Sequence, residues 1–334
     1  MTVSTSPRAV SQPQGLGLAV LTAATFATSG TFATSLLDAG WSPAAAVTVR
    51  LLIAALALTV PAVLAMRGQW SRVAGTSRVM LSYGVIAVAG SQLCYFNAVE
   101  HLSVGIALLL EYLGIVLIVA WQWVRHGQRP QPLTIAGVVV VMAGLVLVLN
   151  ISGQQHLNLI GVVWGLGAAV GLATFFVIAA GLDDGGLPPL AMAWGGMAIG
   201  AACLLLLGLV HAVGMNVSTH SVVFLHHRTS WVVPVLGLAL IAGAIPYATG
   251  IPAAQILGAK LASFVGLCEV LFAAVFAWLG LGQHLQTLQI VGGVLVLIGI
   301  GIVRADEPEQ MAAEPDPDLD DLSGASARVP AGVS

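Results

Sequence analysis

Two carboxylic acids stand inside long apolar stretches of this sequence. Glu111 lies within GIALLLEYLGIV, and Glu269 lies within FVGLCEVLFAAVFAW. An ionisable side chain at mid-bilayer is costly, so it is retained mainly where it faces a bundle interior or a wet path. Burial favours the neutral form of a carboxyl group and a nearby cation favours the carboxylate, so either acid could exchange a proton. The alternative is that each acid is structural, permanently protonated or hydrogen-bonded between helices.

The composition places these acids in a membrane. Of 334 residues, 58% are hydrophobic and 7% are charged, whereas a soluble domain carries about 25% charged residues. Apolar runs long enough to cross a bilayer recur along the chain. We predict an all-α polytopic membrane protein with ten transmembrane helices, at residues 16–37, 43–66, 78–100, 103–124, 133–150, 158–182, 189–211, 232–252, 257–280 and 286–304.

Arg50 is the third candidate functional residue. It lies about eight residues into the second span and Glu111 about nine into the fourth, so at about 1.5 Å per residue both reach roughly the same depth. An ion pair between them is geometrically possible. In the alternative, the Arg50 side chain extends to the outer interface or caps a backbone carbonyl.

Five further polar residues are candidates for lining a cavity. Tyr83 and Asn97 share a helical face of the third span, and Thr25 belongs to a polar face of the first. Tyr247 and Gln255 lie at the segment PYATGIP, where the prolines predict a kink that frees backbone carbonyls. The alternatives are hydroxyls that bond their own backbone and a plain proline kink.

The two acids are equivalent positions of an internal repeat. Sliding the sequence against itself places Glu111 on Glu269, and a glycine spacing recurs in the fifth and tenth spans, at Gly137 and Gly144 and again at Gly292 and Gly299. Five spans is an odd number, so the second copy would enter the membrane from the opposite side. Such inverted repeats are common in secondary transporters. The predicted units are a cytoplasmic segment 1–15, repeats at 16–150 and 158–304, and a tail 305–334.

These features together resemble a known family. Arg50 early in span two, the stretches LEYLGIVLIVAW and CEVLFAAVFAW, and the glycine-spaced spans five and ten resemble the drug/metabolite transporter superfamily, in its EamA-type ten-helix branch. The resemblance covers residues 16–304. It implies a secondary transporter of the bacterial cytoplasmic membrane, usually an exporter of amino acids, other metabolites or toxic compounds.

The charged loops predict an orientation. Arg67, Arg72 and Arg78 lie between spans two and three, and Arg125 and Arg129 lie between spans four and five. Basic loops stay in the cytoplasm, so both termini are predicted to be cytoplasmic. The tail holds most of the acids, and its Asp and Pro content predicts disorder.

Several other classes of function find no support in the motifs. The cysteines all fall in apolar spans, so we predict no disulfide, metal or other cofactor. HExxH, GxSxG and GxxxxGK[ST] are missing, so we expect neither an enzyme nor a nucleotide-driven pump. The expected partners are a small molecule, protons and the bilayer, with no nucleic acid; a homodimer stays open. The alternatives are an importer or facilitator on the same fold and a non-transporting sensor or scaffold.

Overall fold

Helices make up most of the described chain. The structure is a computed structural model that describes residues 12–102, 104–127, 129–149, 158–182, 187–281 and 286–313. Its α-helices are α1 Gln12–Phe26, α2 Ser29–Leu37, α3 Pro43–Ala65, α4 Ser71–Ser82, α5 Ser91–His101, α6 Val104–Tyr112, α7 Gly114–His126, α8 Pro132–Val148, α9 Leu159–Ala180, α10 Pro189–Leu209, α11 Val232–Leu236, α12 Ile245–Gly266, α13 Cys268–Leu281 and α14 Thr287–Ala313.

Eight helical segments in the described chain are long and apolar enough to cross a membrane. The helix α8 is apolar but shorter, and the segment Val232–Gly266 reaches from the eighth predicted span into the ninth. Within that segment Gly258 has φ of 75° and ψ of 162°, which interrupts the helix. Positive φ costs glycine nothing, so the chain can break there, at the start of the ninth predicted span.

Two π-helical segments lie inside predicted spans three and eight. They are π1, Tyr83–Gly90, and π2, Gly237–Ala244. A π-helix pairs residues five apart instead of four, so it rotates the residues beyond it relative to an ideal α-helix. The side of span three that faces the protein interior therefore departs from the 3.6-residue pattern.

The first predicted span is also interrupted. A turn at Ala27 and Thr28 separates α1 from α2. The Thr25 hydroxyl donates to the carbonyl of Leu21 at 2.8 Å, and the Thr28 hydroxyl donates to the carbonyl of Thr25 at 2.7 Å. Threonine hydroxyls that bond backbone carbonyls of their own helix often bend it, and here they accompany the break.

The most extensive helix contacts join the first half of the chain to the second. The helix α1 packs on α12, α3 on α10, α5 on α9, and α8 on α14. One close approach is between α8 and α14, where a Cβ on Gly144 would lie 2.7 Å from the carbonyl oxygen of Gly292. In reverse, a Cβ on Gly292 would lie 2.6 Å from the carbonyl oxygen of Gly144. The glycines of the two helices thus let their backbones touch.

A short hairpin corrects the all-α prediction. The strands β1, Val222–Phe224, and β2, His227–Thr229, pair antiparallel between α10 and α11. Leu225 and His226 form the loop with positive φ values of 48° and 67°. Two-residue hairpin loops favour Asn-Gly or Asp-Gly, so this turn carries no recognisable sequence signal.

The last helix extends further than predicted. The tenth span was expected to end at residue 304, but α14 continues to Ala313 and takes in the start of the predicted tail. The added residues contain Asp306, Glu307 and Glu309, and glutamate is a good helix former. The predicted disorder of the rest of the tail concerns residues 314–334, which lie outside the described residues.

Candidate functional site

A cavity lies where helices of both halves of the chain meet. Its volume is about 140 Å³, which is room for several water molecules. Helices α1, α2, α5, α6, α9, α12 and α13 and the π1 segment contribute residues to its wall. The lining residues with polar or aromatic side chains are Thr22, Phe26, Ser29, Ser91, Gln92, Tyr95, Glu111, Tyr112, Phe175, Phe176, Tyr247 and Glu269.

Both candidate acids line this cavity, each beside a helix interruption. Glu111 lies in the last turn of α6, before the turn at Leu113. Glu269 lies in the first turn of α13, after the turn at Leu267. A helix N-terminus carries unpaired N–H groups and a partial positive charge, which Glu269 has nearby. The two acids therefore have different backbone surroundings.

Tyr112 connects the two halves at the acids. Its hydroxyl donates a hydrogen bond of 2.9 Å to Oε2 of Glu269. Glu111, its neighbour in sequence, makes no side-chain hydrogen bond with any described residue and is open to the cavity. One acid thus has a protein donor, whereas the other is available to water, a proton or a ligand.

Arg50 lies behind the cavity wall. It is 1% exposed. Its Nη1 donates to Ser29 Oγ at 3.1 Å and to Gln92 Oε1 at 2.8 Å, and its Nη2 donates to the carbonyl of Ala242. The guanidinium therefore joins α2, α5 and π2, and these described partners are all neutral groups. Arg50 thus caps a backbone carbonyl, as one of the sequence-based alternatives predicted, and it forms no ion pair with Glu111 in this structure.

A proline stands four residues after the carbonyl that Arg50 binds. In an α-helix that carbonyl, of Ala242, would accept from the N–H four residues later, but that residue is Pro246, which has no N–H. Ala242 belongs to the π2 segment, where carbonyls pair with the N–H five residues later, so the guanidinium of Arg50 adds a donor from another helix. Gly243 lies beside Arg50, since a Cβ there would be 3.6 Å from Cγ of Arg50, an ordinary van der Waals distance.

Aromatic rings form much of the remaining wall. Tyr247 packs 5.7 Å from Phe26 and 5.6 Å from Phe175, the latter at 88°. Phe175 in turn packs edge to face on Phe176, with ring centroids 5.1 Å apart. Such edge-to-face clusters hold the rings in defined orientations. The cavity thus combines two acids with a preorganised aromatic surface.

One of the five predicted lining residues lies in this cavity. Tyr247 lines it, together with Glu111 and Glu269, and the other four predicted residues do not. Tyr83 is fully buried beside Phe175, with a ring distance of 5.9 Å, and its hydroxyl has no partner among the described residues.

The remaining three predicted residues hydrogen-bond backbone carbonyls. Asn97 donates to the carbonyl of Leu93, Thr25 to that of Leu21, and Gln255 to that of Leu182. None of the three is among the residues that line the cavity. Their role in another conformation stays a prediction.

Sequence reasoning missed Tyr112 and Gln92. The signal for Tyr112 was its position beside Glu111, and the signal for Gln92 was an amide inside an apolar span. On span three the 3.6-residue spacing favoured the face of Tyr83 and Asn97, whereas Ser91 and Tyr95 line the cavity. The π1 segment explains the difference, since it shifts the helical register between these residues.

The described residues form no cluster suited to binding a metal ion and no disulfide. Within the described ranges, no three His, Cys, Asp or Glu side chains come close enough to hold a metal ion. The three cysteines are free thiols. The chemistry of this site therefore rests on carboxyl, hydroxyl, amide and aromatic groups.

Comparison with known families matches the chain twice. The EamA-like transporter family matches residues 13–150 and again residues 159–305. The chain belongs to the EamA-like transporter family. The family prediction made from the sequence is confirmed, and with it a multi-pass membrane protein that transports a small molecule.

Solved structures agree with the fold of this EamA-like transporter. One crystal structure aligns with a TM-score of 0.65, covering 88% of this chain and 97% of its own, at 17% sequence identity. At that identity the likeness concerns the fold alone. Among curated proteins, none matches the chain.

Proposed function

We propose that this EamA-like transporter is a proton-coupled secondary exporter of the bacterial cytoplasmic membrane. Its substrates are small metabolites, such as amino acids, or toxic compounds. One observation carries the proposal: Glu111 and Glu269, one from each family-matched segment, line the same cavity between the two halves. Acids in membrane-spanning segments are typical of proton and substrate paths.

The proposed architecture is ten transmembrane helices in two inverted five-helix repeats. Adding α8 and α13 to the eight longer segments gives the ten helices. Reciprocal packing supports the pseudo-two-fold relation, because α1 packs on α12 as its counterpart α9 packs on α5. The contact of Gly144 with Gly292 supports it as well, because the equivalent glycines Gly299 and Gly137 also approach each other. With the basic loops inside, both termini are cytoplasmic.

The proposed cycle exchanges protons for substrate at the acids. When both acids are protonated, the empty site is nearly neutral. Neutral acids can be enclosed in a low-dielectric environment at lower cost than charged ones, so the empty protein can change conformation more easily. Substrate entering from the cytoplasm displaces the protons, and protons from outside later displace the substrate. The hydroxyl of Tyr112 moves between Glu269 and substrate or water as the cycle proceeds.

Two other functions are distinguished by the role of the acids. A facilitator or importer on the same fold would move substrate along its own gradient or inward. A sensor or scaffold would tolerate neutral acids without loss. The described arrangement favours coupled transport, because Glu111 is open to the cavity rather than held by a structural hydrogen bond.

The test compares cells that produce matched membrane levels of the wild type, Glu111→Gln and Glu269→Gln. Extracellular metabolites and resistance to toxic amino-acid analogues are measured. Glu100→Gln is the matched control, because this substitution makes the same chemical change at an exposed position outside the cavity. We expect the wild type and Glu100→Gln to raise the same exported compounds and both cavity variants to lose this effect.

The contrary result has a clear meaning. If all four proteins behave alike over a broad panel, the acids are structural or the protein is not an exporter. If a cavity variant still moves substrate down its gradient but no longer against it, coupling is lost while the path remains. That second result supports the proton-coupled cycle over a facilitator.

A further inference from the structure

The charges on the cavity wall are all of one sign. Glu111 and Glu269 contribute carboxyl groups, and the described lining residues include no arginine, lysine or histidine. A substrate carboxylate would meet like charge there when the acids are ionised. A substrate cation would meet opposite charge, and a hydrogen bond to a charged group is stronger than one between neutral groups.

Arg50 places a positive charge near both acids but presents no free donor to a ligand. Its side chain is 1% exposed, and its two terminal nitrogens already donate to Ser29, Gln92 and the carbonyl of Ala242. The remaining nitrogen, Nε, is buried without access to the cavity. A bidentate arginine site for a carboxylate is therefore not presented to the cavity in this conformation.

The aromatic wall favours the same class of ligand. Phe175, Phe176 and Tyr247 are arranged around each other edge to face, with centroids 5.1 and 5.6 Å apart. The faces of such rings attract an ammonium group, and their edges pack against an apolar body. Arg50 itself illustrates this chemistry, because its Cζ lies 5.5 Å from the ring centroid of Phe26.

We infer that the substrate of this site is a small organic cation, an amine or ammonium compound with an apolar body and no carboxylate. Glu111 and Glu269 bind the cationic group, and the rings of Phe175, Phe176 and Tyr247 pack on the apolar body. The inference rests on the proposed function and narrows its substrate class, since it disfavours zwitterionic amino acids. A cavity of about 140 Å³ limits the substrate to small molecules.

The test uses four compounds with the same phenyl group and different head groups. Phenethylamine is a cation, 2-phenylethanol is neutral, phenylalanine is a zwitterion and 3-phenylpropanoate is an anion. Binding to the full chain in lipid nanodiscs is measured by isothermal titration calorimetry, without any gradient. We expect phenethylamine to bind at least roughly tenfold more tightly than the other three, as charged hydrogen bonds and cation–π contacts predict.

Variants assign the preference to the acids. Glu111→Gln and Glu269→Gln should each weaken phenethylamine binding by a much larger factor than 2-phenylethanol binding, and Glu100→Gln should change neither. Binding of 2-phenylethanol also shows that the cavity of each variant is intact. The inference is overturned if phenethylamine fails to bind the wild type, or binds no better than phenylalanine or 2-phenylethanol.

The two proposals fail separately. If export depends on the acids but the protein shows no preference for the amine, the proposed exporter function stands and the inferred substrate class is wrong. A strong amine preference without acid-dependent export would keep the inference about the ligand and remove the proton-coupled exporter.

Discussion

The hydroxyl of Tyr112 and the carboxyl group of Glu269 are joined by a hydrogen bond of 2.9 Å, although 157 positions separate them in sequence. Tyr112 belongs to the first family-matched segment and Glu269 to the second. Glu111 is the sequence neighbour of Tyr112, so one residue, Tyr112, links the two acids. The bond therefore provides a direct contact through which the two halves can respond to protonation or substrate.

Removal of this bond should impair transport. Tyr112→Phe keeps the ring and deletes the donor, and a hydrogen bond to a charged group contributes about 1.5–3 kcal/mol. We expect export in the cellular assay to fall roughly tenfold or more at unchanged membrane level. Tyr95→Phe is the control, because Tyr95 lines the same cavity without a hydrogen bond to a described residue. Equal losses in both variants would argue against a special role for the bond.

Arg50 should be essential for stability. Arg50→Met leaves the acceptors on Ser29, Gln92 and Ala242 without their donor, and each unsatisfied buried polar group costs about 1–3 kcal/mol. We expect a clearly lower unfolding temperature in detergent, followed by fluorescence-detected size-exclusion chromatography after heating. Arg78→Met, at an exposed position, should have little effect. An Arg50→Met protein as stable as the wild type would contradict the structural role.

The contact between α8 and α14 should tolerate no side chain at its centre. A Cβ on Gly144 would lie 2.7 Å from the carbonyl oxygen of Gly292 and 2.8 Å from the backbone nitrogen of Val296, so the helices must separate. Overpacking of this kind costs about 1–3 kcal/mol. Gly301→Ala is the control on α14, because nothing lies within 4 Å of a Cβ there.

The two glycine variants should change stability in opposite directions. Alanine is favoured over glycine in a helix by about 1 kcal/mol, so Gly301→Ala should raise the unfolding temperature or leave it unchanged. Gly144→Ala should lower the unfolding temperature. A Gly144→Ala protein that unfolds at or above the wild-type temperature would show that the helices can separate at little cost.

Tyr83→Phe should stabilise the protein. The hydroxyl of Tyr83 is buried and has no partner among the described residues, so it is desolvated without compensation. Its removal recovers part of a penalty of about 1–3 kcal/mol. The expected result is a higher unfolding temperature with unchanged export, the opposite of Tyr112→Phe. A large loss of export would instead support the sequence-based prediction that Tyr83 lines the path.

Much of the fold followed from local properties of the sequence. Long apolar runs predicted the membrane helices, and the recurrence of an acid in two of them led to the family. Helix interruptions were harder to predict, since the break after Phe26 depends on several weak hydroxyl contacts and the π1 and π2 segments have no clear signature. The hairpin at Leu225 and His226 lacked the glycine or asparagine that usually marks such turns.

Sequence alone determined which groups in this protein can do chemistry. Glu111, Glu269 and Arg50 stand out because a charged residue in an apolar helix is costly wherever that helix packs. Partners were decided only by the tertiary structure. The guanidinium of Arg50 reaches the carbonyl of Ala242 instead of Glu111, and Tyr112 reaches Glu269. Hydrogen bonds act over about 3 Å, so they depend on how helices distant in sequence pack and rotate against each other.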